Sequence, residues 1–170
     1  MEKIFLLRAT DRAHAISRLL VQFDLQSYAG KRVALKANYN SADGFPASTH
    51  PDTLGAIVKG LKNMGAADIT LAERSGMGDT REVLSEMGVS KLSQQLGFRT
   101  VVLDELNADG WMDFKPAYNI HWRHEFLVAK IFRNANKVVQ TCCLKTHRFG
   151  GHFTLSLKNS VGLIAKDDPR

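Results

Sequence analysis

Two features of the sequence predict an α/β fold. Its apolar residues alternate between a helical period and short strand-like runs. The segments between the strand-like runs are about 15 to 25 residues long, which suits crossovers joining parallel strands. The expected architecture is a three-layer α/β domain spanning residues 1–170. It has a mainly parallel or mixed sheet with helices on both faces.

Asp11 to Leu25 carries a helical stripe of Ala15, Ile16, Leu19, Leu20 and Phe23, with Asp11 as N-cap. Gly30 breaks the chain, and Lys31 to Ala37 is the first strand. Asn38 to Pro51 is a polar surface loop. Leu54, Ile57, Val58 and Leu61 form the buried face of the next helix, which Gly65 closes. Asp68 to Ala72 is the second strand, followed by the loop Glu73 to Thr80. Thr80 to Met87 and Ser90 to Leu96 are short helices, closed by Gly88 and Gly97. Phe98 to Leu103 is the third strand. Asp104 to Arg123 is irregular, Phe126 to Ile131 and Lys137 to Leu144 are strands, and a helix runs from about His152 to Ile164.

Composition narrows the function classes. The 170 residues are 44% hydrophobic and 24% charged, which is a globular balance rather than a disordered one. Two cysteines are too few for a disulfide framework. No apolar run reaches the length of a membrane span or a secretory core, so a cytoplasmic setting without membrane attachment is expected. The net charge of +6 lies entirely in residues 111–170, which hold 10 Lys/Arg against 4 Asp/Glu. Such a basic third calls for an anionic partner, or for acids on another segment or subunit.

In open parallel sheets, ligands bind beyond the carboxyl ends of the strands. Three polar loops leave such ends. The richest is Thr141 to His152, where a strand passes into Lys145, Thr146, His147, Arg148 and the pair Gly150-Gly151 before a helix start. Helix-start amides, free backbone approach at the glycines and the cations together suit a phosphate or carboxylate. Thr154 and Lys158 stand i, i+4 on the expected helix, with Asn159 beside them. The second loop carries Ser75, Gly76, Gly78, Asp79 and Thr80, with Thr80 as a helix cap; a tight turn and a phosphate cradle explain it equally. The third holds Lys36 and Asn38 at the end of the first strand, where a lysine reaches into a cleft or lies at the surface. Lys145 and His147 are the candidates for general acid/base proton transfer, since both are expected to sit in a partly desolvated basic cleft.

Metal ligation is left open. His121 and His124 are spaced i, i+3, and His147 and His152 bracket the glycine pair. Cys142 and Cys143, adjacent on a strand, are expected to face opposite sides. No CxxC occurs, so no iron–sulfur cluster is expected from this chain. Trp111, Tyr118 and Trp122 are expected to pack in the core or over the cleft.

Three motifs together resemble the DUF362 family: KANYNSAD…THPDT, ERSGMGDT and TCCLKTHRFGGHFTLSLKNSVG. The resemblance runs from about Ile4 to the end. Lys36-Ala37-Asn38 stands where family members usually have Lys-Pro-Asn, and Lys145, His147, Lys158 and Asn159 match the family's Lys-x-His and Lys-Asn. The resemblance implies an α/β protein of unestablished biochemistry. Many members carry an iron–sulfur segment, whose cysteines this chain lacks. Family domains usually continue past the LKNSVG helix, so the chain resembles the N-terminal portion of a longer domain, and the balancing acids would lie in the remainder or in an oligomer. Asp79-Thr80-Arg81 is also similar to a triplet of the nickel-dependent lactate racemases, too short to assign a metal. Two functions are carried forward. The first is binding of a small anion, as part of an enzyme, with cofactor unspecified. The second is a basic nucleic-acid- or protein-binding module, or an accessory domain of an iron–sulfur redox protein.

Overall fold

A computed structural model describes residues 3–23, 25–117, 125–147 and 149–167, except for the side chains of residues 25 and 26. Tyr118, His121, Trp122, His124 and Arg148 lie outside the described residues.

The centre is a four-stranded parallel sheet of β1 (Arg32–Lys36), β2 (Asp68–Glu73), β3 (Arg99–Val102) and, last in the chain, β6 (Lys137–Gln140), in the order β3-β2-β1-β6. Val33 registers with Ile69 on one side and Lys137 on the other. Because side chains alternate across a strand, each face has its own core. Val33, Leu35, Ile69 and Leu71 pack on Leu54, Ile57, Val58 and Leu61 of α2 (Pro51–Asn63). Val83 and Leu84 of α3 (Thr80–Glu86) and Val89 of α4 (Val89–Leu96) join that layer. The helix α1 (Arg12–Leu20), capped by the Asp11 side chain, packs outside α2. Gly60 permits that approach, since a Cβ there would lie 2.3 Å from Leu20 Cδ1.

The other face is built from small residues, Ala34 and Ala72. They admit Trp111, Leu127, Ala129 and Phe132, which come from a two-stranded antiparallel sheet, β4 (Trp111–Phe114) with β5 (Phe126–Ala129), and from α5 (Lys130–Asn134). The α/β architecture is therefore the one expected, with an added small sheet on its second face.

Four local expectations need correction. The stretch 104–123, expected to be irregular, contains β4, whose partner strand, β5, lies outside the main sheet, so its pairing is not visible locally. The strand expected to reach Ile131 stops at Ala129, where α5 turns Phe132 into the core. The strand expected to reach Leu144 stops at Gln140. It lies at the sheet edge, and beyond it Thr141 N donates to Lys36 O. The helix expected over His152 to Ile164 contracts to α6 (Ser156–Asn159) and a 3₁₀ turn over Ser160–Leu163. Residues before Ser156 are held extended instead: Thr154 bridges Lys145, and Leu155 has φ −138°. Among the described residues no helix is long and apolar enough to cross a membrane.

Candidate functional site

A cleft of about 130 Å³ opens where β1, β2 and β6 end. Lys36 and Asn38 enter it from β1, Arg74 and Gly76 from β2, and Cys142, Cys143, Lys145 and His147 from the chain after β6. Thr154, Lys158 and Asn159 close the other side. The three loops thus meet on one rim of the sheet. Four of the lining side chains are cationic, and no carboxylate is among them.

Lys36 forms the floor. It is 2% exposed and its Nζ lies 2.6 Å from Glu73 Oε2, itself wholly buried at the end of β2. The ammonium also donates to Ala37 O at 2.7 Å and to Asn159 Oδ1 at 3.4 Å. All its protons are therefore directed at protein acceptors, and Glu73 cancels its charge. Burial pushes the Glu73 carboxyl up to about 7, while Lys36 pulls in the opposite direction. The sequence reading places Glu73 at the start of a loop, although an acid closing the apolar run of β2 is a legible signal for a buried partner. Gly162 lets the chain cross this floor: a Cβ there would stand 2.8 Å from Lys36 Cε and 3.2 Å from Nζ.

Among the described residues the other three cations, Arg74, Lys145 and Lys158, have no ion-pair partner. Lys145 Nζ donates to Ala47 O. Arg74 Nη2 reaches Val161 O at 3.4 Å, but its buried Nε has no partner among the described residues. Lys158 is exposed. His147 is half-buried, with Nδ1 accepting from Phe149 N at 3.4 Å. Asn38 works structurally as well as lining the cleft: its Nδ2 donates to Ala47 O at 3.0 Å, and its backbone pairs with Thr49. Asn159 Nδ2 is 3.5 Å from Gln140 Oε1, tying α6 to β6.

Cys142 and Cys143 correct a further expectation. Both line the cleft, because the chain has left the strand before reaching them and strict alternation no longer applies. Cys143 Sγ lies 3.4 Å from Ser48 O, and burial pushes its thiol up. Both cysteines are free thiols, and among the described residues no cluster of three or more His, Cys, Asp and Glu suits a metal.

Ser75, Gly78, Asp79, Thr80, Gly150, Gly151 and Trp111 do not line the cleft. Ser75 and Thr80 are buried in a structural turn, in which Ser75 N donates to Thr80 Oγ1 at 2.8 Å and Ser75 Oγ donates to Tyr39 O at 2.7 Å. Thr80 Oγ1 then donates to Asp104. The cap of α3 is Asp79 rather than Thr80: Asp79 accepts from Glu82 N at 2.9 Å, and Thr80 is already the first helical residue. Gly78 takes φ +84°, which a residue with a side chain adopts only under strain. Gly150 and Gly151 form a turn, not a helix start. Gly150 N donates to His147 O and Gly151 O accepts from His147 N. Thr154 precedes α6, so it and Lys158 do not share the i, i+4 helix face expected; they reach the cleft from different segments. Trp111 packs in the second core.

The domain of unknown function DUF362 matches residues 33–170. The chain belongs to the DUF362 family. Every residue lining the cleft falls inside the DUF362 match, whereas α1 precedes it. Neither the curated proteins nor the solved structures contain a match to this chain.

Proposed function

We propose that this DUF362 domain binds a small anion, phosphate- or carboxylate-bearing, in the cleft at the strand ends. One observation carries the proposal: Arg74, Lys145 and Lys158 converge there with no lining carboxylate, while Lys36, the fourth cation, is already matched by Glu73. A water occupies roughly 30 Å³ in the liquid, so a cleft of about 130 Å³ takes a phosphate or carboxylate group and little more. Side-chain donors with formal charge give the stronger class of hydrogen bond to such groups. His147 is the residue suited to carrying a proton to or from the bound molecule, and Lys145 supplies fixed charge beside it; in that role the domain serves as part of an enzyme.

Isothermal calorimetry with inorganic phosphate tests this. Saturable binding is expected, and K145M/K158M weakens it by on the order of a hundredfold, since each hydrogen bond to a charged group contributes about 1.5–3 kcal/mol. Absence of saturable binding at low salt refutes the proposal. A long polyanion binding with a steep salt dependence, with phosphate failing to compete, points instead to a nucleic-acid surface.

A further inference from the structure

The wall that carries Thr154, Lys158 and Asn159 also has an apolar part. Leu155 and Val161 line the cleft and remain 41% and 44% exposed. The same stretch of chain continues this character outward: Leu144, Phe149, Phe153 and Leu157 are 78%, 82%, 70% and 88% exposed. Single exposed apolar residues are ordinary, but a run of them beside a polar pocket marks a binding surface. Local geometry fixes this one. Thr154 N donates to Lys145 O at 2.8 Å and His147 N to Gly151 O at 2.9 Å, and this pairing of 145–147 with 151–154 holds Lys145 and Leu155 at the same mouth.

We infer that the cleft's ligand is amphiphilic: an anionic head held by Arg74, Lys145 and Lys158, and an apolar tail laid over Leu155 and Val161 toward these paired segments. The inference rests on the anion-binding proposal and adds the class of ligand. Charge complementarity selects the head, because the inner lining is cationic. The apolar wall at the mouth gives a tail a surface that a free inorganic ion leaves wet, and covering it removes apolar area from water on both partners.

The test compares inorganic phosphate, hexyl phosphate and hexanol by calorimetry on the full chain. Hexyl phosphate is expected to bind about tenfold or more tighter than phosphate, because several methylenes leave water. Hexanol, lacking the head, is expected not to compete. In L155S/V161S, two substitutions at partly exposed positions, the hexyl-to-phosphate ratio is expected to fall toward one. In K145M both ligands are expected to weaken in proportion. A ratio near one in the unaltered protein overturns the inference and leaves the anion proposal standing. A large ratio that L155S/V161S does not change places the tail elsewhere and also overturns it. Failure of both phosphates to bind removes the anion proposal and this inference together.

Discussion

Glu73→Gln leaves the Lys36 ammonium 2% exposed with no counter-charge. Breaking a buried pair from one side costs about 3–5 kcal/mol, a large share of the 5–15 kcal/mol that holds a typical domain together. Lys36→Met has a different consequence. It strands Glu73, which escapes the cost by keeping its proton. Burial already pushes this carboxyl up to about 7, and without Lys36 nothing charged draws it back. The folded pKa then lies above the unfolded one, so the folded state binds the proton more tightly. The group's contribution is complete below the ordinary carboxylate range and is lost as pH rises through the folded value. The unaltered protein shares this loss up to about pH 7, so K36M is expected to fall further behind it only above that, by about 1–1.5 kcal/mol at about pH 8. Replacing both residues, K36M/E73L, removes both charges and recovers most of the loss. Urea unfolding followed by circular dichroism at the two pH values gives the complete double-mutant cycle. If E73Q loses less than about 1 kcal/mol, or K36M gains stability with rising pH, the pair is not the buried, coupled dyad argued above.

The same carboxyl is expected to tune the proposed anion binding. Protonating Glu73 unmasks Lys36, so sulfate affinity is expected to rise as pH falls through about 7, and E73Q should flatten that profile in a calorimetric titration. Gly162→Ala places a methyl 2.8 Å from Lys36 Cε, and the buried lysine has little room to move; a loss of about 1–3 kcal/mol in urea unfolding is expected, with weakened sulfate binding. Thr80→Val removes the acceptor of Ser75 N and the donor to Asp104, which should cost about 1–3 kcal/mol in thermal unfolding because the Ser75 turn is buried. Asp79→Ala removes the cap of α3 and should cost about 1 kcal/mol without changing the phosphate dissociation constant.

Three of the four strands of the parallel sheet were legible because a glycine stands before each of them. Gly30 precedes β1, Gly65 precedes β2 with φ +78°, and Gly97 precedes β3 with φ +60°. The small second sheet was not, since β4 and β5 pair with each other and neither Trp111 nor Leu127 alternates in a pattern separate from its neighbours. The convergence of Lys36, Gly76 and Lys145 followed from the rule about strand carboxyl ends and did not need side-chain detail. Side-chain detail decided the rest. Gly150 and Gly151 failed as an anion cradle because the pairing that bridges Thr154 to Lys145 uses their backbone groups and delays the helix to Ser156. Glu73 was missed because a strand boundary is uncertain by a residue or two, and that small error separates a solvated loop acid from the partner of a buried lysine.

A fold has no energetic need for the arrangement on the cleft floor. A well-packed apolar pair of similar volume is often as stable as a buried ion pair or more so. Here the pair comes with further cost. Glu73 Oε1, Arg74 Nε and Tyr39 Oη are buried without a hydrogen-bond partner among the described residues, and burial, with Glu73 and Cys143 adding to it, holds the Tyr39 phenol above its ordinary range. Each such group forfeits a hydrogen bond that water supplied in the unfolded chain. Two of the three belong to consecutive residues, and the third is electrostatically coupled to one of them, so the unsatisfied atoms gather beneath a single cleft instead of scattering through the core. Departures from polar satisfaction that cluster in this way are expected where selection acts on a site rather than on stability. The apolar cores on either side, from Leu35 and Leu71 to Leu103 and Trp111, supply the rigidity that lets the cleft floor hold these groups in place.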